Sequence, residues 1–139
     1  MPGARLAGAF LAASLLLPAC ATPIPLGQPL EPSRWQVIAI NGQSVPSSDS
    51  YRVEFRGGQF GGRLGCNHFG GPYRLRGGTL MVGQIASTMM ACSEPAMSHE
   101  RLGLAALAQP LQMGWSEGGA RLTLSGSAGS ISLARIGDP

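Results

Sequence analysis

Short alternating runs separated by glycine pairs constrain this chain more than any other feature. Gly57-Gly58, Gly77-Gly78 and Gly118-Gly119 each fall between two stretches whose apolar residues recur every second position. Glycine reaches the left-handed backbone region that tight turns require, and a period of two is the signature of a half-buried strand. Tyr51, Val53 and Phe55 share one face of such a run, with Arg52, Glu54 and Arg56 on the other. Phe60 and Leu64, then Tyr73 to Arg76 and Thr79 to Ile85, continue the pattern, and Ser87 to Cys92 reads as extended chain. Trp35 to Ile40 forms an earlier strand that ends in Asn41-Gly42, a strong hairpin signal. Leu111, Met113 and Trp115, then Leu122 and Leu124, then Ile131 and Leu133, supply three later ones. Cys66 to Gly71 reads as an irregular bend.

One segment breaks the pattern. Ser93 is placed to cap a helix with Pro95 in its first turn, and Pro110 stops it. Met97, Leu104, Leu107 and Leu111 form its expected apolar stripe. The fold class that follows is mainly β with one helix (α+β). It is a curled antiparallel sheet or half-barrel of about seven or eight strands with a single packed helix.

The N-terminal segment has a different character. Arg5 is followed by the apolar run Leu6 to Leu17, and Leu17-Pro18-Ala19-Cys20 is close to a bacterial lipobox. The expectation is a lipoprotein signal peptide over residues 1–19. The Cys20 thiol then carries diacylglycerol, and acyl chains, palmitate among them, form the anchor. Ala19-Cys20-Ala21 also suits ordinary signal peptidase, so plain export to the periplasm or beyond stays open, as does a retained helix. Residues 20–33 contain Pro23, Pro25, Pro29 and Pro32 and read as an extended tether, leaving a domain over residues 34–136. Ala21 rather than Asp follows the cysteine. In this the chain is similar to Gram-negative lipoproteins sorted to the periplasmic face of the outer membrane.

All ten basic residues are Arg, against seven acidic ones, and they are scattered along the chain. With no basic stripe, nucleic acid is not expected as a partner. The membrane, reached through the lipid, is one partner; an envelope protein is another; and the chain is expected to be a monomer.

With Cys20 set apart, Cys66 and Cys92 remain. An even pair in an exported chain suggests a disulfide, worth roughly 3.5 kcal/mol for a loop of about 26 residues. Two buried thiols are an alternative, and a metal site with His68 and His99 another, although Cys66-x-His68 is not a zinc-knuckle spacing. No metal or cofactor is expected. His99-Glu100 has no second His four residues on, since position 103 is Gly, so it reads as a helix-surface His beside a Glu favoured by the helix dipole. No Gly-x-Ser-x-Gly elbow poises a nucleophile, and the chain is not read as an enzyme. Met81, Met89, Met90, Met97 and Met113 are either core filling or the lining of a flexible apolar groove.

Four segments together resemble the META domain, the family of HslJ-like heat-shock lipoproteins. They are Trp35 with Asn41-Gly42; Gly65-Cys66-Asn67-His68-Phe69-Gly70-Gly71-Pro72-Tyr73; Ile85-Ala86-Ser87-Thr88-Met89-Met90-Ala91-Cys92; and Met97-Ser98-His99-Glu100 with Leu107. Met89 and His68 stand where the family often has Arg. The resemblance implies a half-barrel similar to pilot lipoproteins of secretion systems and an accessory role in envelope stress or assembly. It supplies no catalytic residues. Gly65, Cys66, Asn67, Gly71, Tyr73, Thr88, Cys92 and Glu100 are the motif positions, read as structural. Asn67 is expected to cap backbone groups at the bend, and Thr88 to satisfy a buried polar partner. The alternative function is a binding module for an apolar ligand, an acyl chain or an apolar peptide, held inside the half-barrel.

Overall fold

The structure, a computed structural model, describes Gly3 and residues 30–137. Apart from Gly3, the expected signal peptide, Cys20 and the expected tether as far as residue 29 lie outside the described residues. In chain order the strands are β1 Ser33–Ile40, β2 Gln43–Ser44, β3 Arg52–Arg56, β4 Gln59–Arg63, β5 His68–Arg76, β6 Thr79–Val82 and β7 Ala86–Ser87. Helix α1 (Ala96–Leu107) follows, then β8 Leu111–Ser116, β9 Arg121–Gly126 and β10 Gly129–Gly137.

The expected curled antiparallel sheet is present, and it closes completely. Neighbours run β1-β3-β4-β5-β6-β8-β9-β10, and β10 returns to β1 through pairs such as Trp35↔Arg135 and Val37↔Leu133. Closure pairs the two edges of the sheet with each other. The short β2 folds back on β1 across Asn41-Gly42, and β7 adds to β5 beside β6.

Alternation along the strands fills the barrel. Trp35, Val37 and Ile40 from β1, Phe55 from β3, Phe60 from β4, and Leu122 and Leu124 from β9 have essentially no exposed surface. Phe55 and Phe60, register partners, stack at 4.3 Å between ring centroids, and Phe69 and Tyr73 meet them edge-on at 5.6 and 5.2 Å. Each such side chain contributes about 1.5–3 kcal/mol on burial, and together they leave a packed interior.

Four expectations are corrected. The packed chain already includes Leu30, four residues ahead of the expected start at Arg34. Leu30 is buried, and Ser33 Oγ accepts the Trp35 indole N–H at 2.7 Å while donating to the Leu30 carbonyl. The bend at Cys66 is shorter than expected, because β5 runs unbroken from His68 through Pro72. Pro72 is tolerated where β5 exchanges β7 for β6 as its neighbour on one side. Strand β6 ends at Val82, and after β7 the chain from Thr88 to Cys92 is held without belonging to a strand.

The helix differs most. Pro95 is its N-cap, Ser93 makes no capping bond, and Glu94 Oε2 accepts the Ser98 N–H instead. Its buried face is Glu100, Gly103, Ala106 and Leu107; Met97 and Leu104 are half-buried, and Leu111 belongs to β8. The face turned because Gly103 lets the helix approach Leu64 closely. A Cβ at 103 would lie 2.7 Å from Leu64 Cδ1.

Candidate functional site

The motif residues converge where α1 meets the bend between β4 and β5. Gly65 opens that bend with φ +139°, and a Cβ there would stand 2.4 Å from the Ala96 carbonyl oxygen at the start of the helix. No other residue fits both the backbone angle and the space.

Glu100 projects from α1 into the bend and is buried. Its Oε2 accepts the main-chain N–H groups of Cys66, at 3.2 Å, and Asn67, and its Oε1 accepts the Asn67 amide at 2.8 Å. Three donors on one carboxylate satisfy a group that would otherwise be costly to bury. Asn67 is buried too and links three segments. Its Oδ1 accepts from Met90 N at 2.7 Å and from Thr88 Oγ1 at 3.0 Å, and its amide donates to the Met90 carbonyl at 3.1 Å. Thr88 Oγ1 in turn accepts the His68 N–H at 3.0 Å. Thr88 thus meets the buried Asn67, whereas Asn67, expected to cap backbone groups of its own bend, instead holds both backbone groups of Met90, 23 residues further on. Glu100, expected as a structural motif residue favoured by the helix dipole, is the centre of this hydrogen-bonded knot. The sequence signal for this was its place in Met97-Ser98-His99-Glu100, since hydropathy alone does not reveal the contact.

Cys66 and Cys92 are joined in a disulfide with Cα atoms 6.0 Å apart, within the range such bonds occupy. Both sulfurs are thereby used, which removes the thiolates that the alternative metal site needed. Among the described residues no three His, Cys, Asp or Glu side chains gather around a common point. His68 and His99 part company: His68 lies on the barrel wall, and His99 Nδ1 shares a hydrogen bond with the Tyr51 hydroxyl, 2.7 Å away, with the two rings edge-to-face. Burial pushes the Tyr51 hydroxyl pKa up.

Gly71 and Tyr73 stand farther along β5. A Cβ on Gly71 would approach the Gln84 carbonyl to 2.8 Å, so glycine lets β5 pass close to the chain after β6. Burial, helped by the charge and hydrogen bond of Glu31, pushes Tyr73 up to about 12. Glu31 Oε2 also accepts the Gly58 N–H at 3.0 Å, which ties the chain ahead of β1 onto the barrel.

The knot leaves one apolar feature outside. Met89 is 93% exposed and Met90 50% exposed. Both lie on the segment that Asn67, Thr88 and the disulfide hold from either end. Met81, Met97 and Met113 are half-buried, so the methionines are not the main core filling.

These elements define a small closed antiparallel barrel with one packed helix, pinned by a disulfide and a buried carboxylate. A family model for the META domain matches residues 28–135, and the chain belongs to that family. Two solved structures share its fold. One, an NMR structure, is 22% identical with a TM-score of 0.63 and covers 76% of this chain and 90% of its own. The other, the NMR structure of a protein from Burkholderia xenovorans, is 23% identical with a TM-score of 0.62 and covers 76% of this chain and 83% of its own. No curated protein matches the chain.

Proposed function

We propose that this is a lipid-anchored envelope protein, held at the periplasmic face of the outer membrane, that acts through its surface. Its role is a non-enzymatic accessory one in the envelope stress response or in assembly. The observation that carries this reading is the filled barrel together with the exposed Met89-Met90 pair. A packed interior offers no room for an acyl chain, which weighs against the apolar-ligand alternative. An exposed methionine on a segment pinned at both ends is suited to enter a pocket on a protein partner, because little conformational freedom is lost on binding. The lipobox-like Leu17-Pro18-Ala19-Cys20 supports the anchor. The disulfide supports an oxidising compartment.

A photo-crosslinking residue at position 89, compared with one at the exposed Leu75 on the far part of β5, tests the surface role in living cells. A discrete adduct from position 89 that Met90→Glu abolishes is expected. Equal, diffuse labelling from both positions would discard the partner, and a mature chain that starts at Thr22 would discard the anchor.

A further inference from the structure

We propose that a groove on the outer wall of the barrel, over β1, β3, β4 and β5, binds the phosphate headgroup of an anionic phospholipid. The groove has a volume of about 380 Å³. Its floor is bare: Gly61 on β4 and Gly70 on β5 are register partners, so no side chain rises from either strand at that level. Arg34, Arg52, Arg56 and His68 line it, and Glu54 is the single carboxylate among the lining residues. The three guanidinium groups outweigh that carboxylate even when Asp49, the ion-pair partner of Arg52, is counted with it.

Gly70 separates a groove kept open from one left over. Gly61 is glycine for a backbone reason, since a Cβ there would lie 2.7 Å from the Phe69 carbonyl oxygen. Gly62 has φ +144° and lies against the Arg52 carbonyl. Gly70 has neither constraint: its φ is not in the left-handed region, and a Cβ would meet nothing within 4 Å. Glycine inside a strand lowers stability relative to a side-chain-bearing residue. What its missing side chain leaves in return is the open floor.

The chemistry selects the occupant. Guanidinium groups around a bare floor suit an anion with several acceptor oxygens. Arg52 is held by Asp49 at 2.5 Å in an ion pair exposed on both sides, and such a pair is weak enough to yield to phosphate. Ile136, 44% exposed, forms part of the same wall and matches the apolar region beside a headgroup. The tether places the groove within reach of lipid. Leu30, packed on the barrel, follows Cys20 by 10 residues, which span roughly 35 Å at most when extended. That last step rests on the lipid-anchor reading; the groove itself does not.

The test titrates the processed full-length protein, in neutral detergent, with short-chain phosphatidylglycerol, short-chain phosphatidylcholine and inorganic phosphate, followed by amide NMR. Saturable shifts at Gly61 and Gly70 with phosphatidylglycerol are expected, with much weaker binding of the other two. Arg52→Gln combined with Arg56→Gln should weaken binding about thirtyfold. Gly70→Leu should abolish it by filling the floor, and Glu54→Gln should tighten it severalfold. Melting temperatures of the last two should stay near wild type, so these decide the matter even where the arginine variant folds poorly. Inorganic phosphate binding as tightly as phosphatidylglycerol would overturn the lipid assignment. Phosphatidylcholine binding equally well, or indifference to Gly70→Leu and Glu54→Gln, would overturn the site. The mass of the mature chain reports separately on Cys20, so a failed anchor is distinguishable from a failed groove.

Discussion

Glu100 holds Asn67 with both of its carboxylate oxygens, Oε2 on the main-chain N–H and Oε1 on the side-chain amide. This contact joins α1 to a bend 33 residues earlier in the chain. Glu100→Gln keeps the shape but sets an amide N–H₂ against a donor. It should therefore lower stability by about 2–3 kcal/mol, read as a shift in the urea midpoint at unchanged slope. An unchanged midpoint would mean that the carboxylate does not support the bend.

The disulfide closes a loop of 26 residues. Cys66→Ser or Cys92→Ser should cost about 2–5 kcal/mol. Hydrogen exchange should then accelerate most between Thr88 and Glu94, where the bridge and Asn67 are the principal restraints. Uniform acceleration over the whole barrel would contradict this local role.

Leu107 is fully buried, whereas Leu104 is half-buried. Leu107→Ala should cost about 2–5 kcal/mol and Leu104→Ala about 1 kcal/mol, a fraction of the same burial term. Equal losses in thermal melts would place the buried face of α1 elsewhere.

Gly65 combines φ +139° with a Cβ position 2.4 Å from the Ala96 carbonyl. Gly65→Ala should destabilise by about 2 kcal/mol or more, and should do so much more than Gly70→Ala, where space is open. Chemical denaturation of the two variants side by side checks the ranking.

Tyr73 has its pKa raised from 10.0 to about 12 by burial and by Glu31. The folded state disfavours tyrosinate, so the stability this provides is intact below pH 10 and is lost as pH climbs from 10 toward 12. Denaturation midpoints should fall across that window, and the fall should be shallower in Tyr73→Phe. Tyrosinate absorbance showing every tyrosine ionising near pH 10 in the folded protein would refute the shift.

The strands were legible because inward and outward residues alternate, as in Tyr51-Arg52-Val53-Glu54-Phe55-Arg56, and because glycine pairs mark the turns. Closure was not, since no local pattern tells β1 that β10 is its neighbour. Pro72 concealed the first half of β5: a residue without an N–H usually breaks a strand, and only the change of neighbours at that point accommodates it. The helix misled because its core-facing positions include Glu100 and Gly103. Hydropathy assigns both to solvent, whereas a set of waiting N–H donors and a close neighbour in Leu64 bring them inside. The same blindness hid the groove, whose defining feature at Gly70 is a side chain that is missing.

The pairing of β1 with β10 joins Trp35 to Arg135, so the barrel is sealed by contacts about a hundred residues apart. Pairings so distant in sequence form slowly, because much chain entropy must be lost before they return any energy. They also cannot begin until the last strand has been synthesised. A nascent chain of this kind keeps its barrel unsealed, and so easier to thread through a narrow passage, until β10 has arrived.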